Sequence, residues 1–180
     1  MPLHSVEAML DAATDDRVRG EWAVLRAAGV PSRADHQGDS NAPHLTLSAS
    51  SRVPDVVEAR LAASMEAFEP VPVRLGALLV LGSRRLVLAR LVVPTEKLLE
   101  LHARVAAAMA DAPDVPGRVA PGHWVPHVTL ARGLDLDQVA AALAALGPLN
   151  AVDGTLESVR RWDPDAARTW RVGGIPTMGP

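Results

Sequence analysis

The sequence predicts an α+β fold: a bilobal, pseudo-twofold duplicated architecture in which two mainly antiparallel sheets form a central cleft and helices cover the outer faces. Three observations carry that expectation. The pentapeptide PHLTL at 43–47 returns as PHVTL at 126–130. Their histidines, His44 and His127, stand 83 residues apart, close to half of the 180-residue chain. The order of elements around them also repeats: strand, helix, polar loop, PHxTL strand, helix, two-strand hairpin. Two copies of so long a unit are not a solenoid. They read as one domain, 1–180, with lobes of about 1–90 and 91–180 between which strands can exchange.

Taken in order, the elements follow from local patterns. A first strand is expected over about 4–10, then an amphipathic helix over 12–28 with Val18, Trp22, Val24 and Leu25 at helical spacing. Gly29 and Pro31 end it. The stretch 32–42 is polar and reads as a loop before the strand that carries His44. Pro54 opens a second helix running through Val57 and Leu61. Residues 73–81 and 86–93 are apolar, β-rich runs split by GSRR, a hairpin signal. A third helix fits 95–110, with Leu98, Leu101, Val105 and Met109 on one stripe. The loop DAPDVPGRVAPGH leads into the strand of His127. An alanine-rich helix fits 136–146, stopped by Gly147 and Pro148, and strands at about 154–162 and 167–173 flank the turn DPDA.

Composition narrows the class. The chain is 48% hydrophobic and 22% charged, a globular balance. It has no cysteine, which excludes disulfides, thiol nucleophiles and cysteine-ligated metals. A net charge of -3 argues against a protein that coats long nucleic acid, yet leaves room for a basic pocket holding one or a few phosphates. No apolar run approaches the ~18 residues of a membrane span, and the opening MPLHSVEAML lacks the pattern of a secretory signal. A cytoplasmic monomer that does not engage membranes is expected. Lys97 is the only lysine, so the arginine excess reads as a coding bias that lowers the weight of any single arginine.

The chemistry is in the paired motif. Residues i and i+2 of a strand share a face, so His44 lies beside Thr46 and His127 beside Thr129. If the halves meet about a pseudo-twofold axis, one site receives two imidazoles and two hydroxyls. That set suits phosphoester chemistry without metal or cofactor. One neutral ring takes a proton from the attacking group and one imidazolium gives a proton to the leaving oxygen. The hydroxyls can hold non-bridging phosphate oxygens. An imidazole that titrates near ~6.5 supplies both forms around neutrality.

The two HxT motifs, each followed by leucine, resemble those of the two-histidine (2H) phosphoesterase superfamily, in its 2'-5' RNA ligase-like or RNA 2',3'-cyclic phosphodiesterase branch. The likeness extends over HSVE, the LGALLVLGSRRLVLARLVV hairpin, LLELHARV and WVPHVTLAR. It implies a bilobal fold with the histidines in the cleft and no metal. The implied reaction opens a 2',3'-cyclic phosphate on an RNA end or small nucleotide to a 2'-phosphate, with reversible 2'-5' ligation in some members. It further implies His44 as proton donor, His127 as base, and Thr46 and Thr129 as phosphate ligands. The second motif continues to Arg132, matching the HxTxxR form seen in RNA-ligase-like members, and Arg132 reads either as a phosphate ligand or as a solvated surface arginine. Residue 132 lies an odd number from 127, so only a bend would turn it into the cleft. The first motif has Ala49 there.

Other residues carry weaker signals. Trp124, three residues before the second motif, reads either as a base-stacking surface or as a lid on the core. His36 and His123 precede the motifs, and with His44 and His127 would make a four-histidine metal cluster, although no close-spaced pair supports it. His4 and His102 read as structural, and Trp22, Trp162 and Trp170 as core. Arg84, Arg85, Arg160 and Arg161 are more readily solubilising charge than an RNA-guiding rim. No phosphate loop or serine elbow is present. The alternative functional reading is a non-catalytic module that binds a nucleotide or RNA end in the same cleft. A metal-dependent hydrolase is a more distant third.

Overall fold

The computed structural model describes residues 3–36, 38, 40–148 and 150–174; positions 37 and 39 of the expected polar loop lie outside them. The first half runs β1 (His4–Leu10), α1 (Ala12–Ala27), β2 (His44–Ser50), α2 (Asp55–Met65) and β3 (Val71–Leu81). The second runs β4 (Leu86–Val92), α3 (Glu96–Ala108), β5 (His127–Leu134), α4 (Leu136–Leu146) and β6 (Val152–Asp163), and β7 (Arg168–Gly174) is added at its end. The sequence signals therefore mark the real elements, and the repeated unit is βαβαβ.

All strand pairings are antiparallel, in the order β1-β2-β5-β4-β3-β6-β7, and β6 also pairs with β1. The first six strands thereby close a ring. One lobe is β2-β1-β6 with β7 beside it; the other is β5-β4-β3. In each, the outer strand comes from the other half of the chain. The lobes join at two places. Leu45 faces Val128, the single residue pair between β2 and β5, and Val71–Leu75 faces Val152–Leu156. Exchanging the halves maps each join onto itself, which is the signature of a pseudo-twofold axis.

The helices obey the same symmetry: α1 packs with α4 and reaches β5, while α3 packs with α2 and reaches β2. Beneath them Leu45, Leu47, Val128 and Leu130 are fully buried with Val18, Leu25, Leu98, Leu101 and Val105. Val24, expected on the apolar stripe of α1, is instead 43% exposed, because helix rotation carries it past the sheet.

Polar ties fix the layers. The Asp11 carboxylate caps α1 at the Thr14 amide (2.9 Å) and also accepts from the distant Thr155 amide (2.6 Å). Buried Arg90 forks onto Glu21 of α1 at 2.5 and 3.1 Å and donates to the Gly76 and Asn150 carbonyls, both at 3.0 Å. Trp22 is core, as expected, but Trp162 and Trp170 are only half-buried. Trp170 lies under the guanidiniums of Arg161 and Arg168, 5.2 and 4.8 Å from its ring centre, and donates to Glu58 at 3.1 Å. A sheet-edge aromatic can be covered by cations as readily as by apolar residues.

Candidate active site

Both motifs break the strand ladder at the same position. On β2, Thr46 pairs with Glu7 but Ser48 with Val6, so Leu47 is the extra residue. On β5, Thr129 pairs with Ala89 but Ala131 with Leu88, so Leu130 is extra. A bulge of this kind resets which residues face which side. Before it, the histidine and threonine of each motif share one strand face, as their spacing predicts, and of the four Thr46 and His127 line the cleft itself. After it, Ala49 and Arg132 turn onto that same face, and both line the cleft. The bulge supplies the bend that Arg132 requires, and a further slip at Gly133, with φ of 77°, carries the chain away again. Arg132 Nη2 approaches the Thr129 hydroxyl at 3.5 Å.

Each bulge is also met by an indole. Trp22 Nε1 donates to the Thr129 carbonyl and Trp124 Nε1 to the Thr46 carbonyl, both at 3.0 Å. The tryptophans thus come from α1 and from the loop before β5, each bracing the motif of the other half. One face of Trp124 is stacked on the His102 ring, with centroids 3.9 Å apart and planes within 2°, while its indole also forms part of the cleft wall. His102 is buried and donates to the Val119 carbonyl at 2.9 Å, so its structural reading stands.

The Leu45–Val128 register, carried one residue each way, sets His44 opposite Thr129 and Thr46 opposite His127. Both rings are held alike. Nδ1 of His44 donates to the Ala42 carbonyl at 2.8 Å, and Nδ1 of His127 to the Val125 carbonyl at 2.7 Å. A carbonyl only accepts, so the hydrogen sits on Nδ1 and each Nε2 is left for chemistry. A cleft of about 480 Å³ opens beside them, lined by Thr46, Ala49, Arg118, Trp124, His127 and Arg132 among others. A wider hollow of about 560 Å³ between the β3–β4 turn and the start of α4 contains no histidine and offers no comparable chemistry.

The charges around the two rings differ. His44 Nε2 lies 3.5 Å from Oε1 of Glu7, a buried carboxylate that also accepts from the Ser5 hydroxyl (2.7 Å) and Arg160 Nε (2.8 Å). Burial alone would raise the Glu7 pKa, but His44, Arg160 and the Ser5 hydroxyl outweigh it and hold the carboxyl below its usual range. Burial lowers the His44 pKa, and Glu7 opposes that lowering. Burial lowers the His127 pKa too; the Val125 carbonyl opposes it, while Arg132, His44 and Arg118 add to it.

Glu7, Ser5 and Arg118 are the site neighbours that motif reading missed. The signal for Glu7 was present: Ser5, Glu7 and Met9 alternate along β1. Only the β1–β2 register shows that this row faces the histidines. The arginines expected at a solvated surface divide. Arg161 is 1% exposed, bonded to Glu58 at 2.9 Å and to the Ser5 carbonyl at 2.8 Å, and Arg160 holds Glu7 and the Ser40 carbonyl. Arg84 and Arg85 are exposed, and Arg85 donates to the Gly133 carbonyl at 3.0 Å. The four-histidine cluster with His36 and His123 is not assembled among the described residues. His4 instead lies with Asp163 and Asp165 at the far end of β1.

Residues 14–168 match the 2'-5' RNA ligase superfamily. No curated protein sequence matches significantly. Among solved structures, the chain resembles Escherichia coli LigT complexed with 3'-AMP, at 16% identity and a TM-score of 0.54, covering 98% of this chain and 96% of that one. It also resembles Kluyveromyces marxianus Usb1 with uridine monophosphate, at 16% identity and a TM-score of 0.56, covering 95% and 96%. A structure described as a phosphoesterase aligns at 15% identity and a TM-score of 0.55, covering 97% and 95%. These likenesses establish the fold.

Proposed function

Because the chain belongs to the 2'-5' RNA ligase superfamily, we propose that it is a phosphodiesterase that opens the 2',3'-cyclic phosphate of an RNA end or small nucleotide to a 2'-phosphate. The observation that carries this reading is the pair of imidazoles. Each is fixed through Nδ1 to a carbonyl, and each is set opposite the threonine of the other motif. Water attacks phosphorus as His127 Nε2 takes its proton. The bond from phosphorus to the 3'-oxygen breaks, and His44 gives that oxygen a proton. The products are a 2'-phosphate and a 3'-hydroxyl, and the two rings have exchanged protonation states. Thr46, Thr129 and Arg132 hold the non-bridging oxygens in place. The exposed side of Trp124 offers a surface for a base.

Purified protein is expected to hydrolyse a 2',3'-cyclic mononucleotide or a cyclic-phosphate-ended oligonucleotide in the presence of EDTA. His44→Ala and His127→Ala should each lose about 10²–10⁴-fold in kcat. Full activity in either variant would overturn the reading. Tight binding of a 2'-phosphonucleotide without any turnover would favour a binding module instead.

A further inference from the structure

The duplicated frame is symmetric, but its charges are not. Matching the paired strands residue by residue places Ala89 where Glu7 stands, and Ala49 where Arg132 stands. The His44 lobe therefore carries a buried carboxylate and the His127 lobe a guanidinium, and in each case the twofold counterpart is alanine. We propose that Glu7 is a positioning residue that makes His44, rather than His127, the ring that carries the proton the pair shares, so that the roles of donor and base are assigned before substrate arrives.

The geometry supports this directly. Glu7 is 5% exposed and is fixed by Ser5 and Arg160, so its carboxylate cannot swing away from His44 Nε2. Among the described residues, the charges that reach His44 are Glu7 on β1, Arg160 on β6, and Arg132 and His127 on β5, with Arg33 near Glu7 from the loop before β2. Glu7 is the one carboxylate among those charges and the only one of them that favours a proton on His44. His127 has no carboxylate beside it among the described residues; its charged neighbours there are Arg132, Arg118 and His44. With a single proton shared between two coupled rings, these surroundings direct it to His44. Arg160 tempers the effect by sharing the Glu7 carboxylate.

This inference rests on the acid/base reading above, and a direct measurement separates the two. Histidine NMR titration of Glu7→Gln and Arg160→Gln reads each ring without requiring turnover. In Glu7→Gln the His44 titration should move down by about one pH unit and that of His127 should move less. In Arg160→Gln, which frees the carboxylate and removes a cation, His44 should move up. A merely structural Glu7 would give no such opposed pair. If cyclic-phosphate hydrolysis is present, the alkaline limb of its pH profile, which reports the acid, should follow His44 in both variants while the acidic limb stays near its place. An unmoved His44 titration, or shifts of the same sign in the two variants, would overturn the proposal. Should Glu7→Gln fail to fold, an upward shift in Arg160→Gln still supports it and a null or downward shift overturns it. Opposed shifts without hydrolysis would uphold the role of Glu7 and reject the enzymatic reading.

Discussion

Arg132 turns on one extra residue in a strand. Without the bulge at Leu130 its side chain would point under the helices; with it, a guanidinium stands beside Thr129 in the cleft. If it holds substrate phosphate, Arg132→Ala should lower kcat/KM by about 10–100-fold, the worth of one charge-assisted contact of 1.5–3 kcal/mol. Steady-state kinetics on a cyclic nucleotide would check this. Gly133 protects that placement, because its φ of 77° lies in the region that L side chains rarely adopt. Gly133→Ala should cost about 1–3 kcal/mol of stability, read by denaturant unfolding, and should lower kcat/KM along with it. That His44 lies beside Thr46 and His127 beside Thr129 was legible in the sequence, because a pentapeptide repeated half a chain apart draws the eye and strand alternation does the rest. Glu7 was not, since a carboxylate in a short strand acquires meaning only from the strand laid beside it.

Helices and strands were readable from local periodicity, and their observed ends fall close to the expected ones. Which strands pair was not, because β6 joins β1 across most of the chain and β3 across nearly half of it. Two ties between elements can be tested. The Arg90–Glu21 pair fastens β4 to α1, with Arg90 wholly buried and each of its three side-chain nitrogens hydrogen-bonded. Glu21→Ala would strand that guanidinium and should cost about 3–5 kcal/mol in chemical denaturation. At the other tie, β6 passes so near the cap of α1 that a Cβ on Gly154 would sit 2.2 Å from the Thr14 hydroxyl. Gly154→Ala should therefore destabilise by about 1–3 kcal/mol, while Ala substitution at exposed Gly117, where nothing lies within reach, should not.

For the whole molecule, pH is the sharpest lever. His44, His102 and His127 all have pKa values held below 6.5, with burial the first cause in each, so the folded state favours their neutral forms. Their contribution to stability is full above the ordinary imidazole value and is lost as pH falls below it, because the unfolded chain then binds more protons. Glu7 and Asp11, also lowered, extend the loss into the acidic range below about 4.5. Melting temperature should drop between pH 7.5 and 5.5 and fall further toward pH 4. A flat profile would contradict these environments.

The ring of six strands has the topology of two identical subunits that have swapped their outer strands, yet it is made by one chain. Were the halves separate molecules, the cleft would exist only above some concentration, since neither owns a complete sheet. The turn 82–85 between β3 and β4 removes that dependence, turning an encounter between two molecules into the closing of a short loop. Tethering also lets the halves differ, and the difference is visible: one half has a carboxylate where the other has alanine, and alanine where the other has an arginine. A true homodimer is bound to place the same residue on both sides of its axis. A tethered one can build an acid on one side and a base on the other.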